Sequence, residues 1–221
     1  MRFRGGRFAL PVAVLAGLVS IQAAFADRLP IQYTAADQAA ARAVVLKRSD
    51  FGASTAWKAV PAKPDFSSSA CGGYEPKRSD LTVTGASASH WRNASALVSF
   101  QTETWVMKTA EMVRVDWQRV VEHPTFLRCR AEADAASEPS VKLASFKRTA
   151  FPRIAPFARR YRMVVDYTAQ AQTLRVLVDV ILLGKGRTEI SLLATGPYAA
   201  RSSFDGAELR LARALLSRAK A

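Results

Sequence analysis

The sequence predicts an α+β fold, with a single antiparallel sheet of about six strands packed by about three helices. Strand-like segments follow one another in two groups and are joined by short turns, as in antiparallel pairing. Segments with helical periodicity stand apart from these groups. Hydrophobic residues make up 49% and charged residues 23% of the 221 residues, which is a globular composition rather than a disordered one. We therefore expect one domain over residues 27–221, preceded by a targeting segment.

The first 26 residues have the pattern of a signal peptide. Arginines near the start form a basic region, an apolar stretch covers residues 8–19, and Ala24 and Ala26 are the small residues that a signal peptidase requires. The alternative is an uncleaved membrane anchor, because the apolar run approaches the minimum length of a span. We expect cleavage near Ala26 and a secreted or otherwise extracytoplasmic protein. Loss of three arginines would lower its formal charge from +14 to +11.

Cys71 and Cys129 are the two cysteines of the chain. Outside the cytoplasm an even number of cysteines favours disulfide formation. The alternatives are free thiols or a metal site, but zinc needs about four ligands at close spacing. His90 and His123 are not placed in that way. We predict a structural disulfide and no metal ligands, with the bridge fastening the long loop at 61–79 to the rest of the domain.

The first predicted helix covers residues 34–47, because Thr34 and Asp37 have the spacing of a capping box. Two strands follow, over residues 81–91 and 95–106, and alternation in the second predicts one buried side. A short turn between them predicts a hairpin. The N-terminal half thus places one helix before the first two strands.

The central segment, residues 106–120, changes to helical spacing. Trp117 falls on its apolar side, which we expect to cover the sheet. Pro124 ends this helix, a short second turn then carries Cys129, and residues 131–140 form a polar connection. This region therefore predicts one main helix.

The hairpin at 161–168 and 173–183 has the most specific pattern in the sequence. A four-residue loop between the two strands sets two opposite-charge pairs on one face and three apolar pairs on the other. A slip of one residue would set charges against valines, so the pattern defines the register. The predicted pairs are Asp166–Arg175, Arg162–Asp179, Tyr161–Val180, Met163–Val178 and Val165–Val176.

A shorter strand is predicted before this hairpin, at 141–146, and another after it, at 187–195. Residues 184–186 contain two glycines and indicate a three-residue turn, which would place Val180 opposite Ile190. The second half of the chain therefore predicts about four consecutive strands.

The last predicted helix begins at Asp205, which with Glu208 has the spacing of an N-terminal cap, and it ends at about Lys220. Leu211 and Leu215 anchor its buried face. We expect this helix to pack on the sheet.

We find no catalytic, cofactor or metal-binding motif in the sequence. Residues 85–89 lack the last glycine of a serine-hydrolase nucleophile elbow, and residues 184–187 lack the spacing of a phosphate loop. Glu103 and Glu189 are expected to be surface charges. Carboxylate pairs of sugar hydrolases have no fixed spacing, so an extracellular hydrolase of unrecognised type stays an alternative. We expect a protein without cofactors that is not an enzyme.

Positive charge is concentrated in the middle of the chain, among aromatic residues. The candidate anion-binding residues are Lys147, Arg148, Arg153, Arg159 and Arg160. Outside the cytoplasm we expect no nucleic-acid partner, and an anionic envelope polymer or a membrane surface is the natural counterpart. The alternative is a basic face that serves only solubility.

Several short stretches spread over most of residues 27–221 form a recognisable set. They are Trp57-Lys58, Cys71 with Tyr74 and Pro76, Ser79-Asp80-Leu81, Gly85, Val113-Arg114 with Asp116-Trp117-Gln118-Arg119, Thr168-Ala169-Gln170 with Gln172, and Gly186-Arg187-Thr188-Glu189-Ile190. These stretches resemble a group of uncharacterised secreted proteins of high-GC Gram-positive bacteria. The order of helices and strands is distantly similar to the extracellular sensor domains of actinobacterial serine/threonine kinases. The resemblance to sensor domains implies a non-catalytic binding or sensor-like module of the cell envelope, and a structural envelope component is a further alternative.

Overall fold

The computed structural model describes residues 27–67, 70–169 and 172–220. The predicted signal peptide, with its cleavage site near Ala26, lies outside the described residues. Within the described part, no helix is long and apolar enough to cross a membrane. The strands are β1 (Trp57–Val60), β2 (Val83–Asn93), β3 (Val98–Met107), β4 (Val141–Thr149), β5 (Phe157–Ala169), β6 (Gln172–Lys185) and β7 (Thr188–Pro197).

The α-helices in these ranges are α1 (Ala35–Ala43), α2 (Ala110–Asp116), α3 (Phe126–Ala136) and α4 (Arg201–Arg218). A π-helical turn, Trp117–Val121, continues α2 directly. Short 3-10 turns at Arg48–Phe51 and Tyr198–Ala200 follow α1 and precede α4.

The strands form one sheet in the order β1-β2-β3-β7-β6-β5-β4, and every neighbouring pair is antiparallel. The predicted α+β class is confirmed, with seven strands and four α-helices among the described residues. The extra helix is α3, which runs through part of the predicted polar connection at 131–140. Phe126 is buried at its start, and a pair four residues apart, Arg130 and Asp134, supports its surface.

The register between β5 and β6 agrees with the predicted pairing residue by residue. Asp166 accepts a hydrogen bond from Arg175 at 2.8 Å, and Asp179 accepts one from Arg162 at 2.8 Å. Opposite charges on one face and apolar side chains on the other fix this alignment. The hairpin therefore confirms that local charge and hydrophobic patterning set the register here.

The predicted register between β6 and β7 is wrong. Lys185 pairs with Thr188, so the turn has two residues rather than three, and Val180 lies opposite Leu193 instead of Ile190. Gly186 has a φ of 55°, a conformation that suits a tight hairpin turn. Because the pairing moves by an odd number of residues, Glu189 and Ile190 exchange faces relative to the prediction.

Thr34 caps α1 as predicted, since its hydroxyl accepts a hydrogen bond from the backbone of Asp37 at 3.1 Å. The helix ends at Ala43, earlier than expected, because the chain turns inward there. Val44 and Leu46 are then buried in the core beneath α4.

Helix α4 seals one face of the sheet. Leu177 and Ile181 of β6 are fully buried against it, and so are its predicted anchors Leu211 and Leu215. The predicted N-terminal cap is wrong, since α4 starts at Arg201 and the two acidic residues lie inside the helix. Their carboxylates bind arginines of the sheet instead of backbone N–H groups.

The opposite face of the sheet is only partly covered, by α2, its π-helical turn and α3. The predicted disulfide Cys71–Cys129 is confirmed, with a Cα–Cα distance of 5.8 Å, and it fastens the 61–79 loop to α3. Alternate residues of β6 on this face, such as Val180 and Leu182, are only half-buried. The incomplete cover leaves an opening between sheet and helices.

Candidate functional site

A cleft of about 320 Å³ occupies this opening. Strands β3, β6 and β7 form its floor, the π-helical turn and α3 form its wall, and the 61–79 loop contributes to its rim. This volume falls in the range of about 300–1000 Å³ that is usual for small-molecule sites. The cleft is therefore the best candidate for a binding site among the described residues.

The body of the cleft is apolar. Successive strand residues point to opposite sides of a sheet, so Val180 and Leu182 face the cleft while Leu177 and Ile181 face α4. The facing wall comes from the π-helical turn and the first turn of α3. The apolar residues that line the cleft include Val120, Val121, Phe126, Leu127, Val180 and Leu182.

The polar part of the cleft floor comes from β3 and β7. Glu103 lies opposite Ser191 and Trp105 opposite Glu189, so the two glutamates occupy diagonal positions on neighbouring strands. Glu103 accepts hydrogen bonds from the Trp105 indole at 2.6 Å and from the Asp65 backbone at 2.8 Å. Burial nevertheless raises the pKa of Glu103, because desolvation outweighs these hydrogen bonds.

A buried ion pair lies beside these glutamates. The Arg78 guanidinium donates to both carboxylate oxygens of Asp116, at 3.2 and 3.3 Å, and lies 5.0 Å from the centre of the Trp105 ring. Burial and the negative charge of Asp116 raise the pKa of Glu189 well above its ordinary value. Arg78 is thus committed to Asp116, and Glu189 is favoured in its neutral form.

Two residues that line the cleft each have a buried polar atom without a hydrogen-bond partner in the described part of the chain. These atoms are Trp117 Nε1 and Glu189 Oε1. Trp117 is 3% exposed and packs on Phe157, with 5.3 Å between ring centres. Phe157 lies opposite Gly184, which in turn lies opposite Glu189. An unmet buried polar group costs about 1–3 kcal/mol, so a ligand that satisfied both atoms would recover that free energy.

Two predicted anion-binding residues, Arg148 and Arg159, line a second and more open groove of about 630 Å³. Lys147 also borders this groove, but it lies opposite Arg162 of β5, so its side chain points to the α4 side of the sheet. Arg128 joins them, and the acidic side chain in the groove is Glu122, 3.6 Å from Arg159. Tyr161 and Phe146 also line the groove and stack with 5.4 Å between ring centres. The structure therefore brings together a basic groove on the same side of the sheet as α3.

The other two predicted residues are placed elsewhere. Arg153 is exposed and does not line the groove. Arg160 is 8% exposed, and its guanidinium binds Asp205 at 2.5 Å and Glu208 at 3.2 Å. Arg160 thus joins β5 to α4 rather than facing a partner.

The network around Arg160 brings three carboxylates together, those of Asp179, Asp205 and Glu208. Arg162 binds Asp179 and Asp205, so two guanidiniums occupy the oxygens that a cation would need. Burial raises the pKa of Glu208 to about 8, and the adjacent Asp179 adds to this rise. The cluster is an ion-pair network that holds α4 on the sheet.

The prediction that Glu103 and Glu189 are surface charges is wrong, because both line the cleft. Glu189 was assigned to the wrong face by the three-residue turn, and the shorter turn points it inward. Trp117 was expected to be a core residue and is buried, and it also lines the cleft. The pattern Glu-x-Trp on β3 places two polar-tipped side chains on one face, and this is the signal that could have indicated a site.

No family model matches the chain, and no curated protein matches it significantly. Among solved structures, the chain is similar to the Ran-binding protein Mog1p of Saccharomyces cerevisiae, with 14% sequence identity and a TM-score of 0.25. The matched region covers 59% of this chain and 77% of Mog1p. Similarity at this level assigns no function.

Proposed function

We propose that the protein is an exported, non-catalytic binding module and that its cleft binds a small molecule with an apolar body. The observation that carries this proposal is an apolar cleft lined by two residues, Trp117 and Glu189, that each have a buried polar atom without a partner among the described residues. Export is supported by the signal-like N-terminal pattern and by the Cys71–Cys129 disulfide, since disulfides are typical of oxidising compartments.

The test is native mass spectrometry of the protein purified from its own host, followed by titration of the recovered molecule. We expect a copurified small molecule whose affinity falls at least about tenfold in Val180→Trp, because the larger ring fills the cleft floor. Val178→Trp is the matched control, since Val178 is half-buried on the same face of β6 but does not line the cleft.

Two outcomes would contradict the proposal. The first is that neither the purified protein nor a screen of apolar molecules yields a ligand sensitive to Val180→Trp. The second is that the ligand is released in a hydrolysed form. The second outcome would favour the alternative function, an extracellular hydrolase, because a carboxyl group with a raised pKa such as Glu189 is also typical of an acid catalyst.

We also propose that the basic groove binds an anionic envelope polymer. Three cationic side chains against one acid give it a positive field, and the stacked Phe146 and Tyr161 give it an apolar surface. The site is concave, with a volume of about 630 Å³, and this suits a chain of anionic groups better than a flat membrane. The cationic side chains are Arg128, Arg148 and Arg159.

Removing the groove charges should weaken polyanion binding. We expect the double variant Arg128→Gln, Arg148→Gln to bind dextran sulfate about fivefold to tenfold more weakly at low salt. The double variant Arg153→Gln, Arg213→Gln loses two arginines from exposed positions before β5 and in α4, and should change the affinity less than about twofold. Binding that persists in about 0.5 M salt, or stronger binding to vesicles of anionic phospholipid, would contradict the proposal.

A further inference from the structure

We propose that the cleft selects a neutral ligand that carries a hydroxyl group, which Trp117 Nε1 and Glu189 Oε1 hold as donor and acceptor. This inference rests on the proposed function of the cleft and specifies the chemistry of its ligand. The cleft is a different site from the basic groove. Its ligand is uncharged, whereas the groove binds anions.

The first argument is the hydrogen-bonding capacity of the two unpartnered atoms. An indole N–H can only donate. Neutral Glu189 shares its proton in a hydrogen bond with Asp116, so the unpartnered Oε1 is the carbonyl oxygen, which can only accept. Both residues line the same cleft, and contacts from Trp117 through Phe157 and Gly184 to Glu189 connect them. A ligand that satisfies both must accept one hydrogen bond and donate another.

Of the common polar groups, a hydroxyl does both through a single oxygen atom. An ammonium group only donates, so it would leave Trp117 Nε1 unpaired. An ether or ester oxygen only accepts, so it would leave Glu189 Oε1 unpaired. A site built to hydrogen-bond a hydroxyl rejects analogues that lack it, because its buried polar groups then stay unsatisfied.

The charges of the cleft support the same choice. Asp65, Glu103, Asp116 and Glu189 line it. Of the arginines that line it, Arg78 is bound to Asp116, and Arg130 is paired with Asp134 at 3.2 Å. Among the described residues, a carboxylate or phosphate ligand would therefore meet several carboxyl groups and only arginines that already have acidic partners. A neutral group avoids this repulsion and the desolvation of a charge.

The apolar body of the ligand follows from the walls. Val180 and Leu182 on the floor and Val120 and Leu127 opposite them offer only hydrocarbon surface. Burying apolar surface there contributes about 25 cal/mol per Å². The ligand class is thus an alcohol with a hydrocarbon chain or ring of a size that fits about 320 Å³.

The experiment compares four ligands that share one chain: 1-octanol, octylammonium, octanoate and the methyl ether of 1-octanol. Isothermal titration calorimetry on the full chain should show octanol binding at least about fivefold more tightly than each of the others. Glu189→Met should remove the preference for octanol over its ether, because that preference depends on the acceptor. Trp117→Phe should remove the preference for octanol over octylammonium, because that preference depends on the donor.

Two variants provide matched controls. Trp57→Phe changes a tryptophan that packs on Phe51 in the α4-side core, and Glu132→Met changes an exposed glutamate on α3. Both should leave the ligand preferences as they are. Because each prediction is a ratio of affinities, a general loss of packing in a variant does not reproduce it.

The outcomes separate this inference from the proposed function. If octylammonium or octanoate binds most tightly, or if both preferences survive in Glu189→Met and Trp117→Phe, the hydroxyl inference is overturned while the cleft remains a binding site. If none of the four ligands binds and no molecule copurifies, both the inference and the proposed function fail.

Discussion

Replacing both Cys71 and Cys129 by serine is expected to lower the free energy of unfolding by about 4 kcal/mol. The disulfide links residues 58 positions apart, and a closed loop of that length removes much of the conformational entropy of the unfolded chain. Urea unfolding of the serine variant and of the wild type, each with and without reductant, measures the effect.

Reduction of the wild type should reproduce the loss, and reductant should not change the serine variant. A loss below about 1 kcal/mol would contradict the prediction, because it would mean that noncovalent contacts alone hold the loop. Such contacts exist: Tyr74 stacks on His123 with 3.8 Å between ring centres and donates a hydrogen bond to the Arg119 carbonyl at 3.1 Å. The measurement thus compares the covalent link with these contacts.

Arg160→Met is expected to lower the free energy of unfolding by about 3–5 kcal/mol, the range for removing one partner of a buried ion pair. The substitution keeps most of the side-chain volume but removes the guanidinium that binds Asp205 and Glu208. It also removes hydrogen bonds to the Thr149 hydroxyl at 2.7 Å and to the Ala150 carbonyl at 2.8 Å. Thermal and urea unfolding measure the loss.

Arg153→Met is the control for this experiment, since Arg153 is exposed and the same change there should cost less than about 0.5 kcal/mol. A loss below about 1 kcal/mol in Arg160→Met would show that the carboxyl groups of the network rearrange without the guanidinium. That result would contradict the role of Arg160 as the link between β5 and α4.

The sequence predicts those features whose determinants are local. The β5–β6 register follows from charges and apolar residues that alternate over one hairpin, and the disulfide follows from the presence of two cysteines in a chain with a signal-like start. The anchors Leu211 and Leu215 follow from helical spacing. In each case a short window of sequence, or a simple count, contains the physical cause.

The β6–β7 register could not be predicted in the same way. Both faces of β6 carry apolar residues, Leu177 and Ile181 on one side and Val180 and Leu182 on the other. A strand that is apolar on both faces gives no alternation from which to choose its orientation. The face on which Glu189 lies, and with it the polar part of the cleft, therefore depended on the length of one turn.

Contacts between residues that are far apart in the sequence could not be predicted, for a different reason. Arg160 and Asp205 are separated by 45 positions, and nothing in either neighbourhood identifies the other. Asp205 and Glu208 also have the spacing of a helix cap, so the sequence predicted a cap at these residues. Both residues lie inside α4 instead. The same limit applies to the cleft, whose polar residues come from β3, β7, the helical segments from α2 to α3, and the 61–79 loop.

The two faces of the sheet are built differently, and this difference bears on how the protein can evolve. Helix α4 closes one face with fully buried side chains and an ion-pair network, so substitutions there carry large stability costs. On the cleft face, the β6 side chains Val180 and Leu182 are half-buried and have less packing to lose. Mutations in the cleft can therefore change ligand preference while the α4 face maintains a stable scaffold, which allows related chains to diverge in specificity without losing their fold.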